Sequence, residues 1–373
     1  MHKPKITLSF LGNLNYDSRC NNLLISLNES GFDTQFIGFD WQSQNFQPIK
    51  KEKITIYKLS KGSSLFFYLK FTFLLSVTLF RTKSKIYFAE DIYTLPLTTI
   101  VAFFKRAKVV YDSREIYGSL AGLVHKKFLQ FALQKIETFF IRRVDCVLVT
   151  GEMDRDYLIN EYQISCVVVL RNLPRRLLNI QKVDLHKLIG IEKRCKILVY
   201  QGVILHGRGL GILIETIKKL DDFILVIIGE GEKLSFFKAL VNRENLNDKV
   251  FFLGKVNNNE LLNFTKGADI GTALIENLSL SYYYALPNKL FEYIMCGVPV
   301  LVSNLPQMQK IIDEYSVGRS VDIANPDEII SAIKAITDKD TNEQLIKNCF
   351  RAAEELNWEN EFTATNKILK TWL

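Results

Sequence analysis

Histidine is scarce in this sequence. Its four residues, His2, His125, His186 and His206, do not pair with one another or with a carboxylate pair at ligand spacing, so no metal site is expected. Six cysteines, Cys20, Cys146, Cys166, Cys195, Cys296 and Cys349, include no CxxC and no histidine at finger spacing. That pattern argues against a disulfide framework or structural zinc and fits reduced thiols in a cytosolic compartment. Also missing are a dense Lys/Arg block and any nucleic-acid-reading motif, so no nucleic-acid partner is expected. Long hydrophobic runs are absent too. Leu65 to Phe80 contains Lys70 and as a helix would reach about 24 Å against a hydrocarbon core of about 30 Å. Ile6 to Leu11 is too short for a signal peptide's apolar region, and the residues after it offer no small-residue cleavage site. A charged fraction of 24% and an aromatic fraction of 12% exclude a disordered scaffold.

What is present is a folded chain of 373 residues with a lopsided charge. Residues 1–180 hold 25 Lys and Arg against 15 Asp and Glu, and the remainder holds 23 against 25. A basic front half beside a near-neutral back half suggests an anionic membrane surface as a partner of the front half only. Leu65 to Phe80, flanked by Lys58, Lys61, Arg81, Lys83 and Lys85, is read as a core helix, because it is apolar nearly all round. Partial contact with an anionic membrane surface through the flanking cations is the alternative.

Apolar runs alternate with helix-like segments. Strands are expected at Lys5–Phe10, Thr34–Gly38, Ile54–Leu59, Ile86–Ala89, Val109–Tyr111 and Cys146–Thr150, with helices at Arg19–Ser30, Thr94–Phe104 and Leu123–Arg143. Residues near Arg171 to Lys193 read as a connector. The rhythm restarts with strands at Ile197–Gln201, Ile224–Gly229, Lys249–Leu253, Asp269–Leu274 and Pro299–Ser303, the last completing the sheet. Strand and helix in alternation imply two parallel α/β sheets, each covered on both faces, whose strands' carboxyl ends bind ligands. The division expected is 1–174, 175–357 and a terminal helix over 358–373.

The most informative string is Leu286-Pro287-Asn288-Lys289-Leu290-Phe291-Glu292-Tyr293-Ile294-Met295-Cys296-Gly297-Val298-Pro299-Val300. Pro287 fits a helix's first turn, which leaves the N–H groups of Asn288, Lys289 and Leu290 at the positive end as an anion site. Lys289 adds a cation, and Glu292, one turn on, could accept two sugar hydroxyls. The bland alternative is a pair of simple caps with Lys289 and Glu292 paired on the surface. The loop after the first strand holds a single glycine, Gly12, so the dinucleotide fingerprint is absent and an NAD-linked oxidoreductase is not expected.

This string closely resembles the donor-site motif of retaining GT-B glycosyltransferases of the family 4 type, the glycosyl transferases group 1. The resemblance extends along nearly the whole chain, through Tyr200-Gln201-Gly202, His206-Gly207-Arg208-Gly209-Leu210, Ile228-Gly229-Glu230-Gly231 and Phe252-Leu253-Gly254-Lys255-Val256. It implies an α/β fold of two Rossmann-like, doubly wound domains facing a central cleft, with a last helix that crosses back to the first domain. The diphosphate of a UDP- or GDP-linked sugar would then lie on Arg208, Lys289 and the N–H groups of Asn288 and Leu290, with the ribose on Glu292. Gly12 would let its backbone approach the pyrophosphate. Many members carry a lysine where Leu213 stands, so the clamp rests on Arg208 and Lys289. A first glutamate seven residues before Glu292 is usual, and Tyr284 stands there. Glu276 or Asn277 could substitute, while Tyr282-Tyr283-Tyr284 is read as core or lid.

Ala89-Glu90-Asp91 and Tyr111-Asp112-Ser113-Arg114-Glu115 resemble the family's acceptor-side segments, although histidine is common where Arg114 stands. Asp91 could orient or deprotonate an acceptor hydroxyl, or cap the helix beginning near Thr94. The activity implied is a retaining, metal-independent hexosyl transfer. It needs no resident cofactor and uses a nucleotide-sugar donor and a glycan or lipid-linked acceptor in cell-surface polysaccharide synthesis. The expected location is cytoplasmic, in part peripheral on the inner membrane face. A non-catalytic binding subunit and a sugar-nucleotide 2-epimerase are the alternatives.

Overall fold

The computed structural model describes residues 3–41, 49–50, 53–60, 63–119, 126–177, 179–191 and 195–373. His2, Lys61, His125 and the expected helix start at Leu123 lie outside them. The chain divides into two compact units, one made of Met1–Asn172 with Glu361–Leu373, the other of Leu173–Asn360.

The first unit runs β1 (Lys5–Phe10), α1 (Ser18–Glu29), β2 (Asp33–Asp40), β3 (Ile49–Lys50), β4 (Ile54–Lys58), α2 (Ser64–Arg81), β5 (Ile86–Ala89), α3 (Leu95–Lys105), β6 (Lys108–Ser113), α4 (Lys127–Ile141), β7 (Cys146–Val149), α5 (Glu152–Tyr162) and β8 (Val167–Val169). Its sheet order is β3-β4-β2-β1-β5-β6-β7-β8, parallel except for the β3–β4 pair. Central strands are buried on both faces, as the unbroken burial of β5 and β7 shows. Strand order reverses at β1 and β5, so the loops after those strands, which carry Gly12 and Asp91, occupy the switch point where doubly wound sheets bind ligands. α1 ends where the sequence marks it, with Gly31 left-handed at φ +94°.

The second unit runs α6 (Leu185–Ile189), β9 (Lys196–Gln201), α7 (Leu210–Ile217), β10 (Phe223–Ile228), α8 (Leu234–Arg243), β11 (Val250–Gly254), α9 (Asn258–Thr265), β12 (Ile270–Ala273), α10 (Leu280–Tyr283), α11 (Asn288–Met295), β13 (Val300–Ser303), α12 (Pro306–Tyr315), β14 (Gly318–Val321), α13 (Pro326–Thr337) and α14 (Lys339–Glu355). The sheet is all parallel, in the order β11-β10-β9-β12-β13-β14. Its sixth strand, β14, corrects the expectation that Pro299–Ser303 completes the sheet. It is four residues long and holds Arg319 and Ser320 between its buried ends, too short and too polar to register as a core strand. A core of Leu198, Leu213, Ile214, Leu225, Ile227 and Ile333 fixes α7 and α13 to this sheet. The last helix, α15 (Trp358–Thr371), begins in this unit, and its residues from Glu361 onward belong to the first.

α2 departs from the reading of a core helix. Only Phe71, Leu75 and Leu79, an i, i+4, i+8 stripe, are buried, while Leu65, Phe66, Leu69, Phe73 and Phe80 are more than half exposed. A single sheet face can cover one stripe of a helix, and nothing else among the described residues covers the rest.

Candidate functional site

The second unit builds its site at the β9/β12 switch point. β9 ends at Gln201, and the chain then turns through Gly202, Gly207 and Gly209, all at positive φ. Gly209 has no alternative, because a Cβ there would lie 1.8 Å from the Leu274 carbonyl oxygen. This close approach draws the loop after β12 against Arg208, and the N–H of Glu276 donates to the Gly207 carbonyl at 3.0 Å. The Arg208 guanidinium lies 4.7 Å from the centre of the Tyr282 ring and has no carboxylate partner among the described residues.

α11 supplies the second cation. Its apolar face, Leu290, Phe291, Tyr293, Ile294 and Met295, is buried, and this anchors the helix with its N-terminus at the site. Pro287 is the N-cap rather than the first helical residue. The N–H of Leu290 already donates to the Pro287 carbonyl at 3.1 Å, so the anion-site donors narrow to the N–H groups of Asn288 and Lys289.

The Lys289 side chain corrects the surface-pair alternative. It is 8% exposed, its Nζ has no hydrogen-bond partner among the described residues, and it stands 3.8 Å from the centre of the Tyr200 ring. Burial, joined by the charge of Arg208 and opposed by Glu292, pushes its ammonium down to about 7. A buried ammonium with no acceptor is costly in the folded chain unless an anion completes it.

Glu292 is held by its neighbours. The Gln201 side-chain amide donates to Glu292 Oε2, while Gln201 Oε1 accepts from the Thr265 hydroxyl at 2.7 Å. Burial raises the Glu292 carboxyl above its usual range, against the lowering effects of Gln201 and Lys289. In the sequence Tyr200 and Gln201 stand out only as part of the stretch that resembles the family's loop after the first strand of the second domain. Their roles depend on contacts across some ninety residues, for which a single sequence carries no signal. Tyr282 is buried and its hydroxyl donates to the His206 carbonyl at 3.4 Å. Tyr284 caps α10, and its carbonyl accepts from the Gln307 amide.

Gly12 and Asp91 lie together in the first unit. Gly12 lines a concavity of about 210 Å³ with Asn13, Tyr16 and Trp41, and its carbonyl accepts from the Phe39 N–H at 2.9 Å. Asp91 is buried, and its two oxygens accept the N–H groups of Leu11 and Thr94, each at 2.7 Å. Both oxygens therefore serve the backbone. The geometry fits the cap that opens α3 and pins the Gly12 loop.

Beneath that loop lies a buried ionic cluster. Arg19 makes a two-pronged pair with Asp112 at 2.6 and 2.7 Å. Arg114, where the family commonly has histidine, pairs with Asp17 at 2.7 Å, Glu90 at 2.8 Å and Asp112 at 3.2 Å. Its charge is thereby spent inside the protein. Burial, then Asp112, raises Glu90 to about 8.

Among the described residues no group of three or more His, Cys, Asp or Glu is disposed to hold a metal ion. Residues 182–351 match the family model of the glycosyl transferases group 1. An uncharacterised glycosyltransferase of Methanocaldococcus jannaschii is 26% identical over 195 residues, 51% of this chain and 48% of its own length. The chain thus spans about half the length of this curated relative. Sucrose-phosphate synthase from Thermosynechococcus elongatus has a similar structure, with a TM-score of 0.80, 17% identity and 99% of each chain covered. HepE of Anabaena in complex with UDP gives a TM-score of 0.72 at 14% identity, covering 99% of this chain and 100% of its own. WaaG, a glycosyltransferase involved in lipopolysaccharide biosynthesis, gives 0.73 at 13%, with 97% and 99% covered. These structures are GT-B glycosyltransferases, and the fold is theirs.

Proposed function

From a chain whose residues 182–351 match the family model of the glycosyl transferases group 1, we propose an enzyme that moves a sugar from a nucleoside diphosphate donor to a hydroxyl of a glycan or lipid-linked acceptor. The observation that carries this reading is Lys289, a buried ammonium at a helix N-terminus with no hydrogen-bond partner among the described residues. Lys289, Arg208 and the N–H groups of Asn288 and Lys289 hold the diphosphate, and they stabilise the charge that gathers on it as the bond to the sugar breaks. Glu292, oriented by Gln201, accepts the ribose hydroxyls. In the first unit, Asp91 positions the loop of Gly12 through the N–H of Leu11. On the family resemblance the transfer is retaining and metal-independent, and its product belongs to cell-surface polysaccharide. The first unit's excess of cations supports a peripheral place on an anionic membrane face.

UDP is the first probe, because HepE was crystallised with it. Calorimetric titration with UDP, GDP and ADP is expected to single out one nucleotide. Glu292→Ala is expected to weaken that nucleotide at least about tenfold, since it removes hydrogen bonds to a charged acceptor. Unchanged affinity in the variant removes Glu292 from the ribose. Binding of none by a folded sample favours the non-catalytic subunit, the reading that Tyr284 in place of a glutamate also supports.

A further inference from the structure

The outer layer of the first unit carries an apolar face that donor binding does not use. α2, α3 and α4 make successive crossovers from β4 to β5, β5 to β6 and β6 to β7. Crossovers of one hand running one way lie side by side on one sheet face, and α2 touches α3 as α3 touches α4. The Lys105 ammonium ties the first two together, donating to the carbonyls of Leu79 at 2.8 Å and Phe80 at 2.9 Å. Outward from this layer stand Phe66, Phe73, Phe103, Phe104, Phe128 and Phe131, from 57% to 86% exposed. Among the described residues α2 alone is long and apolar enough to cross a membrane, yet its inner stripe is committed to the sheet.

Charge selects the occupant of this face. The three helices contain one acidic residue, Glu137, and it is buried. Because the helices are parallel, their carboxyl ends share one edge, and there Arg81, Lys83, Arg106, Arg142 and Arg143 are exposed. Arg143 and Lys135 lie over the rings of Phe139 and Phe131, at 3.6 and 5.2 Å from their centres. With Thr138 and Arg142 they border an open hollow of about 610 Å³. A second copy set against this face would oppose cation to cation with no carboxylate to pair them. A bilayer with anionic headgroups satisfies both parts, rings in the acyl boundary and cations among phosphates.

We propose that the outer face of α2, α3 and α4 is the surface by which the chain docks on an anionic membrane, aromatic rings inserted and the cationic edge on lipid phosphates. This deepens the peripheral-membrane reading above and rests on it. The test is flotation of the full chain with vesicles of phosphatidylcholine alone or with about one-third phosphatidylglycerol. Binding is expected to be at least about tenfold tighter on the anionic vesicles and to weaken in high salt. Phe103→Ser with Phe128→Ser is expected to abolish it at an unchanged melting temperature, since both rings are exposed. Arg81→Gln with Arg143→Gln is expected to cost about 25-fold, at about fivefold per cation. Binding that survives the phenylalanine variant overturns this face while leaving membrane association standing. No binding to either vesicle overturns both. A concentration-dependent dimer in sedimentation without lipid, lost in the same phenylalanine variant, assigns the face to a second copy and overturns the proposal.

Discussion

Lys289→Met is expected to raise the melting temperature of the ligand-free chain and, in the same protein, to weaken nucleoside diphosphate binding about a hundredfold. The two effects share one cause. Nζ is buried against the Tyr200 ring with no hydrogen-bond partner, so the folded state bears a desolvated cation that methionine, of similar length, does not impose. Relief of about 1 kcal/mol corresponds to roughly 2–4 °C in a unit of this size. Binding moves the other way, because removing one partner of a buried ionic contact costs about 2–5 kcal/mol. The pH dependence follows from the ammonium's folded value of about 7, below its ordinary 10.5. The unfolded chain binds the extra proton between those values, so the penalty is full below pH 7 and fades as pH rises toward 10.5. The gain in melting temperature from methionine should therefore be largest at pH 6 to 7. Nucleotide affinity should fall as pH rises through 7, and at pH 8 binding should take up a proton, seen as an enthalpy that varies with the buffer. A variant that binds within threefold of the parent, or that melts lower, removes Lys289 from the diphosphate site.

The donor helix was legible in the sequence because its signals are local. Pro287, Gly297 and the i, i+3 spacing of Lys289 and Glu292 define a start, a stop and a shared face within a dozen residues. Whether that face meets water is not local information. Lys289 is buried because Tyr200 and the Arg208 loop come to it from β9, far back in the chain. Asp91 shows the same division. A carboxylate just past a strand suits both a substrate and a helix cap, and the cap's contacts, the N–H groups of Leu11 and Thr94, come partly from a loop eighty residues back. α2 misled for the converse reason, since an apolar helix reads alike whether a core or another apolar surface receives it. The short polar strand β14 carries too few core positions for any alternation to show.

Arg19→Met is expected to destabilise the first unit by about 3–5 kcal/mol, and Arg19→Met with Asp112→Leu to recover most of that loss. Arg19 and Asp112 are 3% and 0% exposed, and the guanidinium also donates to the Leu170 carbonyl. Deleting the arginine alone leaves Asp112 with only the longer contact to Arg114 at 3.2 Å. Deleting both restores the balance of charge, because Arg114 keeps Asp17 and Glu90. Glu90 is the adjustable member. Burial and then Asp112 raise its carboxyl to about 8, above its unfolded value, so its contribution favours folding at low pH and is lost as pH rises from about 4.5 through 8. Removing Asp112 takes away the larger charge effect on Glu90 and outweighs the loss of Arg19, which lowers it, so the carboxyl comes down from its raised value. Thermal scans of the three chains from pH 5 to 9 check both statements. The single variant should lose roughly 10 °C or more, and the double variant should show a shallower decline between about pH 5 and 8 than the parent. A double variant no more stable than the single one would mean that the pair is needed for shape, through the Leu170 contact, and not only for charge.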